Sequence, residues 1–292
     1  MAAFAYLLLT WVTAAPNVFP DFVYAQNCRP DTIPYRLDAP ALIVNLGYPG
    51  LKEISGLSPS GTPGLFCAIS DEKGEVLFID ITGGGAIKRR VFFREKGDFE
   101  GVEKVDDCLY AIKSDGDLYV IQKWERGKVK SKKVKTGLQK SDDVEGLGYD
   151  KQRNALLVAC KGDPDSLAPR LIFAFDLRTK QLDSKPVYSI DPLEVNAAIP
   201  YDDSDKKHFF SASGIAIHPF SGDVYVISTA LKRLVVLDYV TGKILAVARL
   251  DKKMLPQPEG IAFDSEGNLF ISSEGKKDED AMLLRFDYQK PN

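Results

Sequence analysis

Residues Gln257–Gly275 read QPEGIAFDSEGNLFISSEG. A polar lip (Pro258, Glu259, Gly260) leads into a short apolar strand, Asp264-Ser265-Glu266-Gly267-Asn268 makes a turn, and a second strand ends on Ser272, Ser273 and Glu274. The same pattern stands four times upstream: EISGLSPSGTPGLFCAISD from Glu53, DFEGVEKVDDCLYAIKSD from Asp98, DVEGLGYDKQRNALLVACKGD from Asp143 and SASGIAIHPFSGDVYVISTA from Ser211. The central glycines Gly56, Gly101, Gly146, Gly214 and Gly260 are separated by 45, 45, 68 and 46 residues. A mid-forties period built from strand pairs marks propeller blades, and the single long step carries an insertion of about 23 residues.

The expected fold is therefore all-β, a five-bladed propeller of four-stranded antiparallel blades. The last repeat supplies only three strands, while Ala41–Leu46 forms a lone strand before the first repeat. That N-terminal strand is expected to complete the last blade and close the ring, which leaves no ragged edge. Residues 41–292 then make one propeller domain behind a lead-in segment over 26–40.

Residues 1–25 are expected to be an export signal, with an apolar run from Ala2 to Trp11 and Val23 and Ala25 before a cut at Gln26. The run is short for a bilayer span of about 20 residues. The mature chain is accordingly expected to have no transmembrane span, to be a monomer, and to reside in the periplasm, the cell envelope or outside the cell. Net charge is −3, so no global field recommends nucleic acid or an anionic membrane. Lys128, Lys130, Lys132, Lys133 and Lys135 fall on the outer strand of the second blade, where lysines discourage edge pairing. No aromatic residues interleave with them for bases to stack on.

The four cysteines, Cys28, Cys67, Cys108 and Cys160, are too few for a disulfide framework at this length. Buried thiols and a Cys28 to Cys108 bridge both remain open. His218 takes the place of Asp150 and Asp264 at the first turn of its repeat, so it reads as turn chemistry rather than a catalytic base. Gly83-Gly84-Gly85 lacks the following helix and Lys-Ser/Thr pair of a phosphate loop and reads as a hairpin turn.

Aligned on their glycines, the repeats show two polar columns. One residue before the glycine stand Ser55, Glu100, Glu145, Ser213 and Glu259; three before stand Glu53, Asp98, Asp143, Ser211 and Gln257. Positions two apart on an extended chain share a face, so both columns should crowd the channel mouth. The ends of the second strands bring Asp71, Glu72, Asp115, Asp163 and Glu274 to the same side, and the insertion over 191–210, with Tyr201 and Asp202, belongs there too. At about 6 Å and an effective dielectric of about 20, each carboxylate pair costs about 3 kcal/mol, so such a cluster needs a cation, basic partners or protons. Neither column contains a Lys or Arg. Oxygen donors of this kind suit a hard cation, and Ca²⁺ tolerates irregular geometry better than Mg²⁺.

In EISGL, DFEGVE, DVEGLGYD, SASGIAIHP with DVYVIS, and QPEGIAFD with NLFISSE, the chain resembles the SdiA-regulated, YjiK-like propellers, distantly similar to NHL-repeat proteins. The resemblance covers residues 40 to 288. It implies a five-bladed propeller and a shared calcium site in exported or envelope-associated proteins, without a settled activity. The matching acids are Glu53, Glu100, Glu145 and Glu259, with Asp71 and Glu274 at strand ends. Asp98, Asp143, Asp115, Asp163, Tyr201 and Asp202 are candidates to support that site or to touch a ligand above it. Ser211-Ala212-Ser213 departs from the family, where an acid is usual.

The leading expectation is an exported calcium-binding propeller whose upper face takes a small ligand or a protein partner. A calcium-dependent hydrolase of lactonase or phytase type is the second reading. Scarce histidine and the absence of basic residues from the columns count against it. A metal-independent interaction scaffold is the third.

Overall fold

The computed structural model describes residues 33–202, 206–275 and 279–290, so the expected signal and Cys28 lie outside the described residues. β1 (Leu42–Leu46) is followed by blade I: β2 (Ile54–Pro59), β3 (Leu65–Ser70), β4 (Gly74–Asp80) and β5 (Ala86–Arg94). Blade II holds β6 (Phe99–Val105), β7 (Cys108–Lys113), β8 (Asp117–Gln122) and β9 (Lys130–Lys135). Blade III holds β10 (Val144–Asp150), β11 (Ala155–Cys160) and β12 (Arg170–Asp176), with an outer edge divided into β13 (Gln181–Leu182) and β14 (Tyr188–Ile190). The helix α1 (Pro192–Ala198) precedes blade IV: β15 (Gly214–Ile217), β16 (Val224–Ser228), β17 (Arg233–Leu237) and β18 (Ile244–Arg249). Blade V holds β19 (Pro258–Phe263), β20 (Leu269–Ser273) and β21 (Ala281–Phe286), and β1 completes it by antiparallel pairing from Leu42↔Arg285 to Leu46↔Ala281. The ring closes as the strand count requires.

Sequence pattern follows position in the blade. The second strands are predominantly apolar and almost wholly buried, as in ALLVAC of β11 and VYVIS of β16, because both faces meet a neighbouring blade. The outer strand KSKKVK of β9 is exposed at all but one position. Hydrophobic layers lie between successive blades, and that between blades V and I joins Val44 and Leu46 to Phe66, Phe270 and Leu283. Each fully buried aliphatic side chain contributes roughly 1.5–3 kcal/mol. Stability therefore resides between blades, and the ring axis is left to polar groups.

Glycine lets the inner strands meet at that axis. A Cβ on Gly101 would stand 2.6 Å from Leu147 Cβ, and one on Gly214 would stand 2.3 Å from the Glu259 carbonyl oxygen. The turns behave as their residues require. Asp264 Oδ1 accepts from Glu266 N and Asn268 N at 3.0 and 2.8 Å, and His218 Nδ1 accepts from Phe220 N and Ser221 N at 3.3 and 3.1 Å. Burial lowers the His218 pKa to about 4, which keeps the ring neutral as a turn acceptor. Cys67 and Cys160 are buried thiols.

Two features differ from the expected plan. The outer edge of blade III breaks at Asp183–Pro186, where Pro186 has no N–H to offer the ladder. The insertion, whose Asp and Pro content reads as loop, begins with α1: Asp191 accepts from Leu193 N at 2.8 Å and Pro192 occupies the first turn. The fully buried Arg170 then ties the insertion down. Its Nε donates to Phe210 O at 2.6 Å, and Nη2 donates to Asp163 O and Ser166 O at 2.8 Å each.

Candidate functional site: the acidic throat

The inner strands of blades I, II, III and V carry a bulge beside their glycine. The ladder steps from Phe99↔Lys113 to Gly101↔Ile112, passing over Glu100, and from Val144↔Cys160 to Gly146↔Ala159, passing over Glu145. Ser55 is passed over in the same way, and in blade V the step from Pro258↔Ser273 to Ile261↔Ile271 passes over Glu259 together with Gly260. In blade IV Ser213 N donates to Ile227 O at 2.8 Å while Gly214 is also paired with Ile227. A bulge re-aims its extra side chain. Here it delivers Ser55, Glu100, Glu145 and Glu259 to the lining of one central cavity, where Ser213 joins them. That cavity offers about 10 Å³, room for about one water or bare ion.

A second tier surrounds this ring. The residue directly after each second strand, Asp71, Ser114, Lys161, Thr229 or Glu274, meets a lip residue. Ser114 Oγ donates to Asp98 Oδ2, and Gln257 Nε2 donates to Glu274 Oε2. Thr229 Oγ1 donates to Glu259 Oε1 at 3.0 Å, and Lys161 Nζ donates to Glu145 Oε1 at 2.8 Å. Asp71 Oδ1 is buried with no hydrogen-bond partner among the described residues. Blade IV contributes hydroxyls: Ser211 Oγ donates to Lys161 O and Gly162 O at 3.0 and 2.8 Å, and Ser213 Oγ donates to Pro258 O at 2.7 Å. The serines that depart from the family pattern thus bind neighbouring backbone.

Burial and crowding raise the carboxyl pKa values. Glu100 is pushed to about 9 by burial and then by Glu145, Asp98, Glu259 and Asp71. Glu274 rises to about 7 through burial, Asp71 and Glu53, and Asp71 rises to about 6 through burial and Glu53. Glu259 is raised well above the carboxylate range by burial, then by Glu145 and Glu274. Burial also raises Glu145, against the opposing Lys161 ammonium. For Lys161 burial favours the neutral amine, but Glu145 outweighs it and holds the ammonium.

The structure brings Glu53, Asp71, Asp98, Glu100, Glu145, Glu259 and Glu274 into one electrostatic cluster, with Asp143 beside Glu145. The remaining candidates are engaged elsewhere. Asp115 pairs with Lys113 at 2.6 Å, and Asp163 Oδ1 accepts from Asp165 N at 2.8 Å. Tyr201 packs on His208 with ring centroids 4.8 Å apart, and Asp202 lies 3.8 Å from Arg249. In blade III the place of Asp71 and Glu274 belongs to Lys161, two residues before Asp163. Counting from the last residue of each second strand, Ser70, Cys160 and Ser273, identifies Lys161; counting acids does not.

A second residue, Glu103, is absent from both columns. It is buried and pushed to about 8 by burial, against hydrogen bonds from Ser58 Oγ at 2.7 Å and the Tyr149 backbone. Two residues after the other glycines stand Ser58, Gly148, Ala216 and Ala262, so a lone acid in that small-residue column was its signal.

Oxygen donors, excess negative charge and the orphaned Asp71 Oδ1 fit a hard cation in chemistry and charge. Among the described residues no three His, Cys, Asp or Glu side chains stand together closely enough to ligate an ion as placed. Binding therefore requires the carboxylates to draw inward.

The profile of the SdiA-regulated family matches residues 40–277. The chain belongs to that family. Curated proteins provide no match by sequence. In structure, this SdiA-regulated chain is similar to the glutaminyl cyclase of Myxococcus xanthus, at TM-score 0.57 and 13% identity over 86% of this chain and 96% of that one. It is similar also to the PQQ-bound aldose sugar dehydrogenase of Streptomyces coelicolor, at TM-score 0.53 and 14% identity over 85% and 97%. These likenesses establish the propeller fold alone.

Proposed function

We propose that this chain is an exported propeller that holds a divalent cation, Ca²⁺ in the first place, in its acidic throat and uses the face around it to bind a small ligand or a protein partner. The observation that carries the reading is the throat itself: Glu100, Glu145 and Glu259 line a cavity of about one water, and the Lys161 ammonium is paired with Glu145. Protons or a divalent ion can relieve that repulsion, and at neutral pH an ion does so without the cost of protonating buried acids. Glu100 and Glu259 would hold the ion with Glu145, and Asp71, Glu53 and Glu274 would support it from the outer tier. A bound ion would tie blades I, II, III and V to one another and supply a fixed positive charge to an anionic or carbonyl group above. The cavity is too small to admit a substrate, so any partner sits over the mouth rather than in the channel.

Thermal unfolding of the full chain in EGTA, Ca²⁺ and Mg²⁺, with metal content determined as purified, tests the reading. At a hundredfold excess over Kd, Ca²⁺ is expected to add about 2.7 kcal/mol, or on the order of 5–10 °C. No calcium-specific shift and no bound metal would sink it. Export is tested separately by the N-terminus of the secreted or periplasmic product, expected at Gln26. Among the described residues no helix is long and apolar enough to cross a membrane.

A further inference from the structure

We propose that Lys161 is a tethered cation that competes with the divalent ion for Glu145, so the throat alternates between an ammonium-paired state and an ion-bound state. The inference rests on the cation reading above and adds its control. Lys161 is the cation in the register otherwise filled by Asp71, Ser114, Thr229 and Glu274. Its ammonium is 2.8 Å from Glu145 Oε1, and its field reaches Asp143 and Glu259. Glu145 is 9% exposed and so has little access to water, whereas the Lys161 side chain is 40% exposed and has a route outward.

The backbone beneath it is fixed on both sides. Lys161 N donates to Asp143 O at 2.7 Å, and Lys161 O accepts from Ser211 Oγ at 3.0 Å. Arg170 clamps the following loop through the Asp163 and Ser166 carbonyls. Only the side-chain torsions of Lys161 are then free to change, and its flexible four-carbon stem suits a swing to solvent. A cavity for about one water does not accommodate an ion while the ammonium stays on the carboxylate that the ion needs. Lys161 thereby keeps the acid ring together without metal and raises the free-ion concentration at which metal enters.

Calorimetric Ca²⁺ titration of the full-length wild type, Lys161→Met and Lys161→Arg, together with their melting in EGTA, tests this. Lys161→Met is expected to bind Ca²⁺ about tenfold tighter or more and to melt below wild type in EGTA. Lys161→Arg, which keeps the charge, is expected to stay near wild type in both. If wild type and Lys161→Met bind Ca²⁺ equally well, the competition is overturned while the cation site survives. If only Lys161→Met binds, the competition stands and the wild-type calcium reading falls. If neither binds, both are overturned.

Discussion

Glu100 and Glu103 lie on the same inner strand, three residues apart, and both are carboxyls held far above their ordinary range, to about 9 and about 8. Their causes differ. Four other acids add to the burial of Glu100, whereas Glu103 has burial opposed by two hydrogen bonds and no carboxylate neighbour behind its shift. The Glu103 carboxyl is therefore part of the packing, its oxygens accepting from Ser58 of blade I and from the Tyr149 backbone of blade III. The proton on Glu100 relieves the repulsion of that cluster, and under the proposed cation reading a divalent ion would replace it. A raised pKa by itself does not mark a binding site; its neighbours decide.

The largest effect expected from this contrast is at Glu103. Glu103→Leu leaves the Ser58 hydroxyl and the Tyr149 N–H without their acceptor in a dry interior, and is expected to cost about 2–4 kcal/mol in urea unfolding at pH 6. The Ca²⁺-induced shift should persist in this variant. Its loss would mean that the two carboxyls act as one unit.

Next in size is the pH dependence of the metal-free protein. The folded values of Glu100, Glu103, Glu274 and Asp71 all exceed their unfolded values, so the native state holds more protons. That stabilisation is complete below about pH 4 and is lost as pH rises through about 6 to 9, lowering the melting temperature in EGTA on the order of 5 °C. Calcium should flatten the fall, because ion binding releases those protons. Glu103→Gln should remove only the portion that calcium leaves. A metal-free melting curve that rises over this range would refute the electrostatic account.

Glu100→Gln is expected to raise stability in EGTA at pH 8 by about 1 kcal/mol, because the amide needs no proton where the buried carboxyl must hold one well above its unfolded pKa, and to weaken Ca²⁺ binding. Opposite signs in the two media distinguish a site carboxylate from a structural one. The smallest effect belongs to the outer edge. Lys133 is 44% exposed beside Asp117 at 2.7 Å, so Lys133→Gln should move the melting temperature by no more than about 1 °C and leave the Ca²⁺ response unchanged.

Much of this was legible in the chain. The glycine period, the missing strand of blade V, the turn role of His218 and the convergence of Glu100, Glu145 and Glu259 all follow from local patterns that repeat. The bulge was not, since period-two alternation takes a regular ladder for granted and says nothing of a residue that two strands jointly displace. Lys161 was hidden because its partner Glu145 lies 16 residues back on the preceding, inner strand of its blade. The divided outer edge of blade III was hidden for a related reason, since strand existence was readable near Tyr188 but the interruption depends on what β12 pairs with.

By itself the sequence determined the number of blades, their strand order and the side of the ring on which acids gather, because repeats, glycines and turn residues act over a few neighbouring positions. Only the tertiary structure decided which of those acids face one another, which cation stands among them, and that Glu103 sits apart in a dry pocket. Charge interactions depend on distance and burial in space, and neither is a property of spacing along a chain.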